Sequence, residues 1–247
     1  MTKYIKLKSD LHIHTSEDLF EKGLGIKTLV APKEFIDVAV DLGFEVLSFT
    51  HHGRLFIDPE IDEYAKERNI LLLPGIEAYI EKKHVLLYNC DLKIEDIYTF
   101  NELRRYKCSQ MLVIAPHPFY FIESCLGNLL IKHIDCFDAL EYCHFYSELI
   151  NPNKKAIEVG KKFNLPVVGN SDSHKINEFG MTYSYIYAKE KSISGVIEAI
   201  KANRVEYISQ PFPLTIFFAN LIKHSFSHFR FIIKKLVAYP TNLPPLE

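Results

Sequence analysis

The stretch that decides the fold lies near the start of the chain and reads Ser-Asp-Leu-His-Ile-His-Thr over residues 9–15. Side chains of a β-strand alternate between its two faces, so His12 and His14 project to the same side while Leu11 and Ile13 face the apolar side. Two neutral imidazoles side by side suit a divalent transition metal. The same pattern also occurs on ordinary solvated strands, so the other motifs of the chain must decide between the two interpretations.

Further metal-competent side chains follow other predicted strands, at the point where each strand ends. Because the active sites of β/α barrels lie at the C-terminal ends of their strands, this regularity predicts a metal-binding active face. The segments are Phe-Thr-His-His-Gly at 49–53, Gly-Ile-Glu at 75–77, His-Val-Leu-Leu-Tyr at 84–88, Ala-Pro-His-Pro at 115–118 and Asn-Ser-Asp-Ser-His at 170–174.

The ordered set of motifs resembles the PHP family, named for polymerase and histidinol phosphatase domains. The resemblance covers residues 6–210. It implies a metal-dependent phosphoesterase on a distorted (β/α)7 TIM-like barrel, with a cluster of up to three metal ions.

Length and composition agree with an α/β barrel. A chain of 247 residues suits one barrel domain, here expected at 1–210, followed by an amphipathic helix and tail at 211–247. The 48% of hydrophobic residues and the formal charge of −2 exclude a polybasic nucleic-acid coat and a disordered acidic tail.

The five cysteines and the absence of a targeting segment predict a cytoplasmic protein. The cysteine count is odd and no Cys-x-x-Cys pair occurs, which argues against a disulfide framework and a thiolate zinc site. Residues 1–6 lack the apolar run of a secretion signal, and no stretch of about 18 consecutive apolar residues is present.

Strand and helix patterns alternate along the chain. Apolar periodicity together with Pro and Gly at helix ends predicts helices, and β-branched and aromatic content predicts a strand at 183–188. We expect all strands to be parallel and joined by right-handed crossovers. The helices are expected at 32–43, 60–68, 94–107, 129–134, 154–163 and 193–202.

The segment 214–236 differs from the rest because apolar residues recur in it at helical spacing. Lys223, Ser227, Arg230 and Lys234 share the opposite face. Docking of this helix on the outer helices of the barrel is the simpler expectation. A membrane-surface or dimer contact is the alternative, since acidic residues are absent between Glu206 and Glu247.

The resemblance implies three metal positions, filled by two or three divalent ions of Zn, Mn or Fe. Glu77 would bridge two ions, and a hydroxide shared by the ions would attack a phosphate ester. Asp172 is a candidate proton donor to the leaving group, and the third ion is the alternative. The first position would take His12, His14, Glu77 and Asp172, the second Glu77, His84 and His117, and the third Asp18, His52 and His174.

Two departures from the family pattern bear on the third position. Asp18 lies four residues after His14, where the family places an Asp five residues after the second histidine. Either the loop adjusts or the site is altered. His51 stands where the family commonly has Asp, so it could weaken a site, change the metal or become an extra ligand.

Other polar residues near the motifs have candidate roles in substrate binding or in orienting ligands. Arg54 and Lys175 are placed to meet a substrate phosphate, or are solvated loop charges. Glu141 is an acid that orients a ligand, or a buried partner for a backbone group. Cys143 and His144 could line the site.

The expected function is hydrolysis of a phosphate ester, with Glu77, Asp172 and Arg54 in the catalytic roles. The expected substrate is a small phosphorylated molecule: a phosphomonoester, a nucleotide or the end of a short oligonucleotide. Three alternatives remain: a histidinol-phosphate phosphatase specifically, hydrolysis of another bond by the same cluster, and a non-catalytic metal-stabilised module that acts through a partner.

Overall fold

The structure is a computed structural model that describes residues 3–23 and 30–217. Within these residues the chain is an α/β protein with ten strands and seven α-helices. The strands are β1 (Ile5–Ile13), β2 (Val46–Phe49), β3 (Leu71–Leu72), β4 (Gly75–Ile80), β5 (Lys83–Tyr88), β6 (Leu112–Ala115), β7 (Ala139–Cys143), β8 (Val167–Asn170), β9 (Thr182–Ala188) and β10 (Val205–Ser209). The helices are α1 (Leu19–Gly23), α2 (Pro32–Asp41), α3 (Pro59–Glu67), α4 (Phe100–Tyr106), α5 (Leu129–Lys132), α6 (Asn153–Phe163) and α7 (Ile193–Lys201).

The strands form two mixed sheets of five strands each. The order is β10-β9-β1-β2-β3 in the first sheet and β4-β5-β6-β7-β8 in the second. β9 runs antiparallel to both of its neighbours, and so does β5. The prediction of an all-parallel arrangement is therefore wrong for these two strands.

A tight hairpin explains the reversed direction of β5. Ile80 pairs with Lys83, so the turn contains only Glu81 and Lys82. Both turn residues have positive φ, 49° and 64°, as a two-residue hairpin with a type I′ turn requires. The usual Asn-Gly or Asp-Gly signal for such a turn is absent from the sequence, which therefore gave no sign of it.

The two sheets meet at isolated bridges rather than along continuous hydrogen-bonded strands. Ile13 forms a parallel bridge with Ser173, and His52 forms one with Glu77. No closed barrel is found among residues 3–23 and 30–217, so the structure shows an α/β fold with two sheets instead of the expected closed ring. Both bridges lie at the C-terminal ends of β1 and β2, where the predicted ligands cluster.

A glycine at the start of β4 allows the two sheets to approach each other. A Cβ at Gly75 would clash with Ser48 Oγ and would lie 2.9 Å from Thr50 Cγ2. Its absence lets β4 lie against β2, which brings His52 beside Glu77. Gly75 therefore has a packing role directly beneath the candidate site.

Most of the predicted helices form at the expected positions, namely α2, α3, α6 and α7. The helix expected at 94–107 is divided into a 3-10 turn at Leu92–Asp96 and α4. The division arises because Thr99 starts a capping box with Glu102, which begins a new helix at that point. The helix expected at 129–134 is shortened to α5, and a 3-10 turn follows at Ile134–Cys136.

The end of the chain is described only to residue 217. Most of the predicted amphipathic helix at 214–236 lies outside the described residues, and the domain boundary at 210 stays a prediction. Phe217, the last described residue, is buried, and its ring centroid lies 5.1 Å from that of Phe145.

No helix in the described ranges is long and apolar enough to cross a membrane. All five cysteines are free, as expected.

Candidate metal centre

The structure brings all nine predicted metal ligands together where the two sheets meet. They come from the ends of β1, β2, β6 and β8, from within β4 and β5, and from the loop before α1. Each belongs to at least one group of three whose ligand atoms lie within 4.8 Å of one another. The nine are His12, His14, Asp18, His52, Glu77, His84, His117, Asp172 and His174.

Glu77 is a buried carboxylate at the centre of this cluster. Its Oε1 lies 2.6 Å from His84 Nδ1 and 3.2 Å from His117 Nε2, and its Oε2 lies 3.0 Å from His52 Nε2. Burial raises the pKa of Glu77, but the imidazoles of His84, His52 and His12 outweigh it and hold the pKa well below its ordinary value. Glu77 is therefore ionised, as a bridging ligand must be.

Asp172 is the second carboxylate that faces the histidines. Its Oδ1 lies 3.2 Å from His12 Nε2, 3.4 Å from His14 Nε2 and 3.5 Å from His174 Nε2. Burial opposes ionisation, yet His12 and the other imidazoles hold the pKa of Asp172 well below its ordinary value. Asp172 is therefore ionised, as a metal ligand must be.

Two of the predicted ligands have backbones in the left-handed region, with φ of 50° at Asp172 and 28° at His117. This region is costly for residues other than glycine and persists only where the surrounding structure enforces it. Such positions cluster at functional sites, and here both side chains enter the same cluster. The His117 amide is fixed by donating to Glu141 Oε2 at 2.8 Å.

Five of the histidines contact an outer partner through Nδ1, which leaves Nε2 facing the two carboxylates. This is the arrangement that histidine ligands of metals usually have, because the outer partner fixes the tautomer and the ring orientation. The residues present therefore fit a metal cluster. The contacts are His12 with Glu141 Oε1 at 2.9 Å, His14 with Asp18 Oδ2 at 3.0 Å, His52 with Asp18 Oδ2 at 2.9 Å, His117 with Cys125 Sγ at 3.2 Å and His174 with Glu21 Oε1 at 2.7 Å.

Asp18 lies within the cluster, but both of its oxygens already have protein partners. Oδ1 accepts from the amides of Phe20 and Glu21 and so caps α1. Oδ2 lies within 3.0 Å of Nδ1 of His14 and of His52. The loop thus adjusts to the altered spacing, and the carboxylate orients two imidazoles. Its predicted role as a direct ligand stays a prediction.

Glu141 combines the two roles considered for it from the sequence. It is fully buried in β7 and contacts His12 through Oε1. The same oxygen accepts from Asn170 Nδ2 at 2.9 Å, while Oε2 accepts from the amide of His117. Glu141 therefore holds one histidine ring and one histidine backbone in place.

His51 is not part of the cluster. Its Nε2 lies 2.8 Å from Thr15 Oγ1, its ring packs edge-on against Phe56, and it belongs to none of the ligand groups found among the described residues. Burial lowers the pKa of His51 to about 3, so the ring is neutral at physiological pH. The geometry gives no support to an extra ligand at this position.

The two candidate phosphate contacts lie on the exposed surface. Arg54 lies two residues after His52 and forms no hydrogen bond or ion pair within the described part of the chain, so its guanidinium is free to meet an anion. Lys175 is paired with Glu178 at 3.1 Å. Cys143 and His144 are buried, and Cys143 Sγ lies 4.0 Å from Asp172 Oδ2.

Sequence reasoning missed two outer partners, Glu21 and Cys125. Glu21 lies three residues after Asp18, a spacing that predicts only a helix start. Cys125 lies eight residues after His117 in no recognisable motif. Their contacts are created by tertiary structure, and we find no signal for them in the sequence.

Comparison with known proteins supports the fold. A family model described as PHP-associated (PHP_C) matches residues 151–205. No curated protein sequence matches the chain. Among solved structures, similarity extends to a two-domain protein from Bacteroides vulgatus ATCC 8482 that contains a predicted PHP-like metal-dependent phosphoesterase. Identity is 20% and the TM-score is 0.57, over 84% of this chain and 66% of that protein.

Two further structures have the same fold at low identity. PsfC from Pseudomonas syringae PB-5123 is 15% identical with a TM-score of 0.62, over 90% of this chain and 99% of PsfC. The lesion-specific endonuclease PfuEndoQ from Pyrococcus furiosus is 15% identical with a TM-score of 0.56, over 80% of this chain and 56% of that protein. The chain has a PHP-like fold, and its structural neighbours include a PHP-like metal-dependent phosphoesterase.

Proposed function

We propose that the protein is a metal-dependent hydrolase that cleaves a phosphate ester of a phosphomonoester, a nucleotide or an oligonucleotide end. The observation that supports this most strongly is the convergence of the Nε2 atoms of His12, His14 and His174 on Asp172, while their Nδ1 atoms are held from outside. Such a set of oriented imidazoles around an ionised carboxylate fits divalent metals.

The ligand atoms divide into three overlapping positions. Imidazole and carboxylate donors suit Zn, Mn or Fe better than Ca²⁺. Bound divalent ions supply positive charge for the phosphate oxygens and lower the pKa of water. We assign His12, His14, Glu77 and Asp172 to the first position, Glu77, His84 and His117 to the second, and Asp18, His52 and His174 to the third.

The side chains around this cluster would bind and orient the substrate. The guanidinium of Arg54 can donate two parallel hydrogen bonds to phosphate oxygens. Arg54 is exposed and lies two residues after His52 in the chain, which supports this assignment. Asp172 and an ion in the third position stay the two candidates for assisting the departure of the leaving group.

The decisive experiment is a panel of phosphate esters assayed with added Mn²⁺ or Zn²⁺. It should include histidinol phosphate, nucleoside monophosphates, a bis-aryl phosphodiester and short oligonucleotides with 5′ or 3′ phosphates. Release of phosphate from at least one monoester, abolished by a chelator and restored by metal, is the expected result. Hydrolysis of histidinol phosphate alone would favour the alternative of a specific histidinol-phosphate phosphatase.

The rival function is a metal-stabilised module that acts through a partner protein. It would bind the same ions and hydrolyse nothing on the panel. An inert protein that retains two or three metal equivalents would therefore favour the rival, whereas a protein without metal would exclude both.

A further inference from the structure

Glu21 is a buried acid at the edge of the metal centre that the set of nine predicted ligands does not include. It lies in α1, is 4% exposed, and its Oε1 lies 2.7 Å from His174 Nδ1. Its Oε2 is buried and has no hydrogen-bond partner among the described residues. Burial of a carboxylate is costly unless a partner compensates it, and His174 is the partner that the structure provides.

His174 has more need of an outer partner than the other histidines of the cluster. Its side chain is 30% exposed, compared with 10% for His84 and 8% for His52. Its ring lies parallel to that of His14 at 4.4 Å, and stacking alone does not distinguish the two ring orientations that are related by a 180° rotation about the Cβ–Cγ bond. A strong acceptor at Nδ1 fixes that rotation and directs Nε2 toward Asp172 Oδ1, at 3.5 Å.

The position of Glu21 is itself set by the centre. Asp18 accepts from the Glu21 amide through Oδ1 and contacts His14 and His52 through Oδ2. The Asp18 carboxylate thus joins the start of α1 to two candidate ligands, and the first turn of α1 places Glu21 against a third, His174. The segment 18–21 forms one connected support on this side of the cluster.

We propose that Glu21 is a positioning residue of the metal centre, which holds His174 in the tautomer and orientation that a metal ion needs. The inference rests on the metal cluster of the proposed function. It assigns Glu21 to the outer partners, together with Glu141, Asp18 and Cys125, and makes α1 a part of the site.

The test is metal binding by the folded protein, measured by equilibrium dialysis with Mn²⁺. Glu21→Ala should lower the affinity of at least one metal equivalent by about 10–100-fold, the usual effect of losing such a partner. Glu21→Gln keeps an oxygen that accepts from Nδ1–H and should restore most of the affinity. The matched control is Glu17→Ala, because Glu17 is an exposed acid in the same loop whose carboxylate contacts Lys22 and Ser16, and no histidine, among the described residues.

A double-mutant cycle separates positioning from a merely structural role. If Glu21 acts through His174, Glu21→Ala should cause no further loss of affinity in a His174→Gln protein. Equal losses in both backgrounds, or an unchanged affinity in the single variant, would overturn the proposal. Should Glu21→Ala fail to fold, Glu21→Leu and Glu21→Gln provide the same comparison.

These measurements need no substrate, so they are independent of the proposed activity. A wild-type protein that binds metal and hydrolyses no phosphate ester would end the proposed function and leave the role of Glu21 open to the same test. Loss of affinity in Glu21→Ala would then still support the inference. A wild-type protein that binds no metal would contradict both the proposed function and the positioning role of Glu21.

Discussion

His12 Nδ1 lies 2.9 Å from Glu141 Oε1, and both residues are completely buried. This contact fixes the imidazole so that Nε2 faces Asp172. The relation between the two residues joins β1 of one sheet to β7 of the other, directly beneath the candidate metal centre.

Replacement of Glu141 should weaken metal binding and destabilise the fold. Glu141→Gln should lower metal affinity by about 10–100-fold, because both Glu141 oxygens accept hydrogen bonds and the NH2 group of Gln cannot replace one of them. Glu141→Ala should also lower the free energy of unfolding by about 1–3 kcal/mol for each buried donor left without a partner. Mn²⁺ titration and urea denaturation measure the two effects. Glu148→Ala, at an exposed position, is the control and should change neither.

Replacement of Glu77 and of Arg54 should have effects of different kinds. Glu77→Ala should remove at least one metal equivalent and nearly all hydrolysis, because three histidines lose their shared carboxylate. Arg54→Ala should keep the full metal content and raise KM with little change in kcat, because it loses only a phosphate contact. Metal analysis and steady-state kinetics provide the comparison. Wild-type metal content and turnover in both variants would contradict both assignments.

The adjacent histidines His51 and His52 should behave differently. His51→Gln should leave the number of bound metal ions unchanged and lower stability by about 0.5–1.5 kcal/mol through the lost contact with Thr15. His52→Gln should lower metal binding, since its Nε2 lies 3.0 Å from Glu77. Metal analysis of the two purified variants is sufficient, and a loss of metal in His51→Gln would show that our assignment of this residue is wrong.

The stability of the protein should depend on pH through His133, which lies outside the metal centre. Its ring stacks on Phe100 at 4.2 Å, and its Nδ1 accepts from Arg104 Nη2 at 2.9 Å. Burial, followed by the charge of Arg104, lowers the pKa of His133 below its ordinary value of 6.5. Folding therefore favours the neutral ring, whereas the unfolded chain takes up a proton near the ordinary value.

The contribution of His133 to the free energy of unfolding should be fully present above about pH 6.5. It should decline as the pH falls below this value, because the unfolded state then binds more protons than the folded state. His133→Gln retains an acceptor for Arg104 and cannot titrate in this range. Urea denaturation between about pH 8 and pH 5 should show a smaller loss of stability in the variant than in the wild type. Parallel pH profiles would contradict the prediction.

The sequence predicted the candidate site better than it predicted the sheets. His12 and His14 could be found because they alternate on one strand, and Asp172 and His174 because they follow another. These four side chains cluster because of where their strands end, and local sequence patterns indicate the ends of strands well. The reversed direction of β5 depends on positive φ at Glu81 and Lys82, which those residue types do not signal.

The outer partners escaped prediction for a different reason. Glu21 and His174 lie more than 150 residues apart in the chain, and their contact at 2.7 Å depends on the placement of α1 against the loop after β8. Helical periodicity indicates which residues share a face and not which distant side chain that face meets. The altered spacing of Asp18 was visible in the sequence. Its contacts with two histidines and with the start of α1 could be recognised only from the structure.

Because the two sheets meet at two isolated bridges, metal ions bound at the candidate centre would affect the unfolding of the protein. His12, His14 and His52 lie in or after strands of the first sheet, whereas Glu77, His84, His117 and Asp172 lie in or after strands of the second. An ion bound by His12 and Glu77 together would be a non-covalent crosslink between two halves that share few backbone hydrogen bonds. Unfolding of either sheet would then remove ligands from the other, so metal occupancy would set how cooperatively the two halves unfold.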